Sequence, residues 1–168
     1  MLTRIRPYLQ SLLQAIVILL VLSLLADWWR KPQAPQTPDM PALTAISGQT
    51  IDLQQLSRNR VAVMYFWGSW CGICRHTSPA VEKLHQNGTP VVAIAVQSGS
   101  DADIQTYMQQ HGLSFPTVNQ NNQTWPQQWQ LAVMPTFVFI KNGRVVHTST
   151  GWGSYWGLKG RTMLSAWF

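Results

Sequence analysis

A run of apolar residues that leads directly into two cysteines constrains this chain more than any other part of it. Residues 61–67 favour β-structure and predict a buried central strand. Two small residues interrupt the run, Cys71 follows, and residues 74–85 suit a helix. Where a strand ends and a helix begins, free backbone N–H groups and the helix dipole favour negative charge on the first sulfur. Because a thiolate is the nucleophile in disulfide exchange, this placement predicts redox chemistry.

The pair Cys71 and Cys74 could also serve as inert core residues, a haem attachment site, a structural disulfide or a metal site. Haem attachment needs C-x-x-C-H, and Arg75 stands where that histidine would be. A structural zinc site needs four ligands, and the chain has no other cysteines. A disulfide between such near neighbours constrains the unfolded chain little. The pattern favours a redox-active pair and leaves Cu(I) binding by the two thiols as the alternative.

The motif resembles the active site of the thioredoxin superfamily. The matching residues are Trp67-Gly-Ser-Trp-Cys-Gly-Ile-Cys-Arg75, with Pro79 five residues after the second cysteine. Further along, Val133-Met-Pro-Thr136 resembles the cis-proline loop of that family, and a strand and Asn142-Gly143 follow it. The resemblance implies an α/β fold with a central mixed β-sheet flanked by helices. Within the superfamily, the chain is most similar to membrane-anchored periplasmic (TlpA-like) proteins of the suppressor-of-copper-sensitivity D type.

The resemblance also implies roles for particular residues. Cys71 would attack a substrate disulfide, and Cys74 would release the mixed disulfide. The Cys71–Cys74 disulfide would be the redox group, with no separate cofactor and no metal. Substrate binding is expected at Met134, Pro135 and Trp70, and support of the motif at Gly72, Ile73 and Pro79.

The chain departs from the thioredoxin pattern at two positions. Tyr65 stands where thioredoxin has a buried aspartate, and the glutamate that anchored relatives carry near Thr77 is missing. Proton transfer would then need water, Tyr65 or another group. His76 is a weaker candidate, since a histidine at such a helix position is more often a solvated surface residue. With Arg75, it would favour a thiolate on Cys71 if the three lie close together.

Tryptophans are frequent near the C-terminus. Trp152, Trp156 and Trp167 could fill the core or form a docking face for a partner. Because aromatic residues fill cores more often than interfaces, we expect core positions.

The N-terminal residues predict a signal anchor. Arg4 and Arg6 precede an apolar run over residues 9–26, which is near the lower limit of about 18 residues for a membrane span. A typical cleavage site is lacking, and tryptophans with basic residues follow the run. We expect residues 1–30 to be an uncleaved transmembrane helix with a cytoplasmic N-terminus, and a cleaved signal peptide is the alternative. Residues 31–41 are a proline-rich linker.

Residues 42–168 are then expected to form a thioredoxin-like domain that begins with a β-hairpin. The hydrophobic content of 46% is ample for a core. The net charge is +6, but the basic residues are scattered, so we expect no nucleic-acid partner. Further elements are predicted at 90–96 (strand), 101–111 (helix), 117–119 (strand), 124–130 (helix), 137–140 and 144–148 (hairpin) and 154–168 (helix). Ser100 and Asp103 have the spacing of a capping box at the start of the helix at 101–111.

Together these features predict a membrane-tethered periplasmic thiol–disulfide oxidoreductase, anchored by a single pass in a bacterial inner membrane. Its partners would be protein thiols and disulfides, with a membrane thiol reductase as electron donor. The anchored relatives are mostly reductants, so we expect the reducing or isomerising direction, with a link to copper tolerance or cytochrome c maturation. The alternatives are a Cu(I)-binding or copper-delivery module using Cys71 and Cys74, and a non-catalytic adaptor, against which the intact cysteine pair argues.

Overall fold

The computed structural model describes residues 42–122 and 133–167, together with the helical residues 10, 11, 13–15, 17–19, 21, 22 and 25. The chain divides into two compact units, Met1–Lys31 and Pro32–Phe168. Within the described residues, no helix is both long enough and apolar enough to cross a membrane. The predicted linker and the predicted helix at 124–130 lie outside the described residues.

The first described element of the second unit is a small antiparallel hairpin. Strands β1 (Leu43–Thr44) and β2 (Thr50–Ile51) pair around a turn in which Gly48 has a φ of +84°. Such a φ favours glycine, which has no Cβ to clash with the backbone. Helix α1 (Leu53–Leu56) follows, capped by Asp52. The predicted hairpin is confirmed, and its contributions to the core are Leu43, Ala45 and Ile51, followed by Leu53 at the start of α1.

A five-stranded mixed sheet forms the centre of this unit. Its strands are β3 (Val61–Trp67), β4 (Val91–Ala95), β5 (Thr117–Asn119), β6 (Thr136–Lys141) and β7 (Arg144–Thr150). Their order is β5-β4-β3-β6-β7, with β3, β4 and β5 parallel and β6 and β7 antiparallel to their neighbours. All seven residues of β3 are buried, as expected for a central strand covered on both faces.

The described part of this unit also contains three longer helices, and each begins at a capping side chain. They are α2 (Gly72–Gln86), α3 (Asp101–Gln110) and α4 (Tyr155–Ser165). Ser100 and Asp103 form the predicted capping box of α3, and Ser154 caps α4. Because these caps accept hydrogen bonds from otherwise free N–H groups, they determine the residue at which each helix begins.

The strand register brings three connecting segments to one end of the sheet. Phe66, near the end of β3, lies opposite Thr136 at the start of β6. Thr136 in turn lies opposite Thr150 at the end of β7, and the Gly151 N–H donates to the Pro135 carbonyl oxygen at 2.8 Å. The residues after β3, before β6 and after β7 therefore meet at the end of the sheet where the two cysteines follow.

Candidate functional site

Cys71 and Cys74 form a disulfide at the start of α2. Their Cα atoms are 5.2 Å apart. Cys71 is the N-cap residue of the helix, and its Sγ accepts a hydrogen bond from the Cys74 N–H at 3.2 Å. In the reduced protein, the same N–H and the helix dipole would stabilise a thiolate on Cys71. The geometry therefore prepares Cys71 to be the nucleophile.

The two sulfurs differ in exposure in the direction that the resemblance implies. Cys74 is fully buried, whereas Cys71 is 8% exposed, and the intervening Gly72 and Ile73 lie at the surface. An incoming substrate sulfur therefore reaches Cys71 first. Burial also disfavours a charged sulfur on Cys74, which suits a thiol that reacts only after a mixed disulfide has formed.

Trp70 is held over the loop that precedes Cys71. Its indole N–H donates to the Val96 carbonyl oxygen at 3.0 Å, and the ring remains 58% exposed. A Cβ added to Gly68 would lie 2.6 Å from the Trp70 indole nitrogen, so glycine is required for this close approach. The Ser98 hydroxyl accepts from the Ser69 N–H and donates to the Val96 carbonyl oxygen, at 3.0 Å each.

Sequence reasoning missed Ser98 as a residue that supports the site. A signal was available, because Ser98 follows β4, and the carboxyl ends of the adjacent parallel strands β3 and β4 lie at the same edge of the sheet. Polar residues after β4 are thereby placed beside the loop that leads to Cys71.

The predicted substrate-binding loop lies at the same end of the sheet. The Met134–Pro135 peptide bond is cis, as the resemblance implies. Pro135 is buried, and Met134 is partly buried against the core cluster that contains Cys71 and Cys74. The Thr136 hydroxyl donates to the Val133 carbonyl oxygen at 2.7 Å and closes the loop.

Behind the disulfide, two hydroxyl groups bind the backbone of Cys74. The Ser78 hydroxyl donates to the Cys74 carbonyl oxygen at 2.8 Å. The Tyr65 hydroxyl lies 2.9 Å from the Ser78 hydroxyl and 3.4 Å from the same carbonyl oxygen. Pro79 lies inside α2 and has no N–H to donate, so the regular helical bond to the Arg75 carbonyl is missing. The two hydroxyls thus stabilise the first turn of α2, a helix that lacks one backbone hydrogen bond at Pro79.

Tyr65 is suited to positioning rather than to accepting a proton. Its ring is fully buried and stacks on Trp67 and Phe137, with ring centroids 6.5 Å and 5.1 Å away. Burial raises the pKa of Tyr65 because it removes the phenolate from water, while the hydrogen bond with Ser78 opposes that rise. At neutral pH, Tyr65 is therefore a neutral hydroxyl that faces the Cys74 carbonyl oxygen.

The polar side chains that follow Cys74 on α2 differ in their exposure to solvent. Arg75 and His76 are exposed on α2, whereas Thr77 is buried and its hydroxyl has no hydrogen-bond partner. Among the described residues, Glu82 is the one buried carboxylate. Its carboxylate is already hydrogen-bonded to Ser114, Phe115 and Gln86, so it does not replace the aspartate that thioredoxin has where Tyr65 stands.

Glu82 joins α2 to the segment before β5. Its carboxylate accepts from the Ser114 N–H at 2.7 Å, the Ser114 hydroxyl at 2.5 Å, the Phe115 N–H at 3.3 Å and the Gln86 side chain at 2.8 Å. Burial by itself would raise the pKa of Glu82, but these four hydrogen bonds to the charged form outweigh burial and lower it.

The prediction that the three C-terminal tryptophans fill the core is wrong. Trp152 is 70% exposed, Trp156 78% and Trp167 87%. On α4, Leu158 and Ser165 occupy the core-facing positions, so side chains on the opposite face of the helix point outward.

The Cu(I) alternative would depend on the two thiols. In the part of the chain that the structure describes, no group of three or more His, Cys, Asp or Glu side chains could hold a metal ion. Cys71 and Cys74 are therefore the ligands that such a site would use.

Comparison with known proteins gives consistent matches. The Redoxin family model matches residues 33–154. A thioredoxin-like protein from Haemophilus influenzae is 35% identical over 165 residues, which cover 98% of this chain and 99% of that protein. The thiol-disulfide oxidoreductase ResA from Bacillus anthracis is 26% identical over 155 residues, covering 83% and 88%. The structure of StoA from Bacillus subtilis shares the fold with a TM-score of 0.66 and 18% identity, covering 75% of this chain and 98% of that one.

Proposed function

This chain belongs to the Redoxin family and is a thioredoxin-like thiol–disulfide oxidoreductase, and we propose that it exchanges dithiols and disulfides with protein substrates through Cys71 and Cys74. The observation that carries the proposal is the placement of Cys71 as the N-cap of α2, with its sulfur accepting from the Cys74 N–H at 3.2 Å. That placement favours a thiolate, which is the reactive species in exchange.

In the reducing direction, the Cys71 thiolate attacks one sulfur of a substrate disulfide. A new sulfur–sulfur bond joins Cys71 to the substrate, and the other substrate sulfur leaves as a thiolate and takes up a proton. The Cys74 thiol then loses its proton and attacks the Cys71 sulfur. The Cys71–Cys74 disulfide forms, and the second substrate thiol leaves, so two electrons pass from the protein to the substrate.

The substrate would lie along the loop before β6. Met134 and Pro135 are at the same end of the sheet as Cys71. The exposed Trp70 directly precedes Cys71 in the sequence. An extended segment of substrate would pair with the backbone of Met134 while its disulfide faces Cys71. Gly72, Ile73 and Pro79 would set the local geometry of the cysteine pair.

We place the domain on the outer side of a bacterial inner membrane, held there by residues 1–30. The support is in the sequence, where basic residues, an apolar run and flanking tryptophans occur in that order. A membrane thiol reductase would then supply electrons, and the substrates would be proteins of copper tolerance or cytochrome c maturation. Cu(I) binding at Cys71 and Cys74 is the competing use of the same two thiols.

Exchange of the two cysteines for serine tests the proposed roles. Cys71→Ser should abolish disulfide exchange because it removes the attacking sulfur. Cys74→Ser should retain the attack and accumulate mixed disulfides with substrates, detectable on non-reducing gels and by mass. The reverse pattern, with mixed disulfides on Cys71→Ser alone, would reverse the roles. Failure of the wild type to exchange with any dithiol or disulfide would contradict the proposed function.

The reduction potential of the pair tests the proposed direction. A potential near that of thioredoxin, about −270 mV, would support a reductant, whereas one near about −120 mV would identify an oxidant. Equilibration with glutathione buffers, read by mass after alkylation, measures this value on the full chain.

A further inference from the structure

Large apolar side chains are exposed on helix α4 and just after it. Trp156 is 78% exposed, Met163 61% and Trp167 87%. Trp156 and Met163 are seven positions apart, so they lie on one side of the helix. Leu158 and Ser165, which are buried, lie on the opposite side. Trp167 follows two residues after the helix ends at Ser165 and adds to the exposed apolar surface.

Two neighbouring side chains widen this surface. Leu164 is 67% exposed, and Trp152, just before the helix, is 70% exposed. We call the five residues the α4 face; they are Trp152, Trp156, Met163, Leu164 and Trp167. Soluble domains rarely leave so many large apolar side chains together in water unless the surface has a binding role.

The charged side chains in the stretch of sequence that contains the α4 face are all basic. From residue 104 to the C-terminus, the sequence contains no aspartate or glutamate. Its lysines and arginines over the same range are Lys141, Arg144, Lys159 and Arg161. Lys159 and Arg161 belong to α4 itself, and Lys141 donates to the Ala166 carbonyl oxygen at the end of that helix at 2.7 Å.

We propose that the α4 face lies on the surface of an anionic lipid bilayer. Tryptophan is the side chain that most favours the boundary between lipid headgroups and acyl chains, and the face holds three of them. A helix with an apolar face and flanking Lys and Arg binds such a surface by apolar burial and by attraction to anionic headgroups. Two copies of the domain meeting through this face would instead bring Lys159 and Arg161 of each copy together.

This inference does not depend on the redox chemistry, and its test uses residues 1–30 only to bring the chain to the vesicles. It adds a second contact with the bilayer, made by the folded domain itself. Because α4 begins at the end of the sheet where Gly153 packs on Phe137, the lipid contact would start beside the redox site and extend away from it.

The test uses the full chain with a protease site inserted in the linker, residues 31–41. Protein bound to vesicles of phosphatidylcholine with phosphatidylglycerol, or of phosphatidylcholine alone, is cleaved and the vesicles are sedimented. The released domain should stay with the vesicles that contain phosphatidylglycerol and leave the neutral ones. High salt should weaken its retention. The double variant Met163→Ser with Trp167→Ser should lower the partition coefficient by about tenfold or more, since apolar burial drives such binding.

Trp70→Ser is the matched control, because it removes an exposed tryptophan that lies off the α4 face; its retention should equal that of the wild type. The double variant should reduce a small soluble disulfide as fast as the wild type, which shows that it is folded. Equal release of all variants from both kinds of vesicle would overturn the inference. So would a lipid-free dimer of the wild-type domain that becomes a monomer in the double variant, because the face would then join two copies.

Discussion

The Tyr65 hydroxyl lies behind the cysteine pair, at a position where the thioredoxin pattern has a buried carboxylate. Its hydroxyl and that of Ser78 hold the Cys74 carbonyl oxygen, and thereby the first turn of α2, while burial keeps the phenol neutral. A buried carboxylate at this place could also accept a proton from the resolving thiol.

Tyr65→Phe should therefore lower stability and leave the pH dependence of exchange unchanged. Loss of one buried hydrogen bond should cost about 1 kcal/mol, because Ser78 can still donate to the Cys74 carbonyl oxygen. Urea unfolding measures the first effect, and the pH–rate profile of substrate reduction measures the second. Ser78→Ala is the comparison, since it leaves the Tyr65 hydroxyl buried with a single long contact and should cost more. Disappearance of an ionisation from the profile of Tyr65→Phe would show that Tyr65 takes the proton after all.

At the scale of elements, α2 carries the cysteines at its start and is held in its C-terminal half by Glu82. Three hydrogen bonds to that carboxylate, from Ser114 and Phe115, connect the helix to the segment before β5, and a fourth comes from Gln86 within α2. They also make the fastening dependent on pH. A carboxyl whose folded pKa is lowered contributes stability above its ordinary pKa of 4.5 and loses that contribution as the pH falls through the folded value.

Glu82→Gln should accordingly destabilise the domain at neutral pH by about 1–3 kcal/mol, the range for a buried group that loses charged hydrogen bonds. The difference in the free energy of unfolding between this variant and the wild type should shrink in acid, because protonation makes the wild-type carboxyl neutral like the amide. Urea unfolding at about pH 7 and about pH 3 measures both values. Gln86→Ala removes one donor and keeps the carboxylate, so its effect on acid sensitivity should be much smaller. A stability difference that stays constant across this range would contradict the pKa argument.

Local sequence predicted most elements because each was determined by its neighbours in the chain. The apolar run before Cys71, the capping box at Ser100 and the Asn142-Gly143 turn all appear as predicted, the last with φ values of 51° and 73°. The contacts that set the site's geometry are long-range, and periodicity alone does not contain them. Ser98 binds Ser69 across the sheet edge, and Glu82 binds Ser114 from another segment. Burial of Trp156 was mispredicted because aromatic content does not say which side of α4 faces the sheet.

At the scale of the whole molecule, the proposed anchor predicts where the protein is found in the cell. The full chain should remain in the membrane fraction after a high-salt wash, with the domain open to protease from the outer face. The reason is the apolar run over residues 9–26, whose burial in lipid does not depend on ionic strength. Fractionation and protease protection measure this, with a chain that begins at Pro32 as the control. A soluble product that starts after Ala26 would show a cleaved signal peptide instead.

The disulfide between Cys71 and Cys74 uses every cysteine of the sequence. In the proposed reducing direction, each molecule therefore transfers two electrons per cycle and has no third thiol to supply more. After it has reduced one substrate disulfide in that direction, the molecule would have to be reduced by a donor before it could act again. When that donor is limiting, raising the amount of this protein alone would then increase the amount of its oxidised form and leave the rate of substrate reduction unchanged.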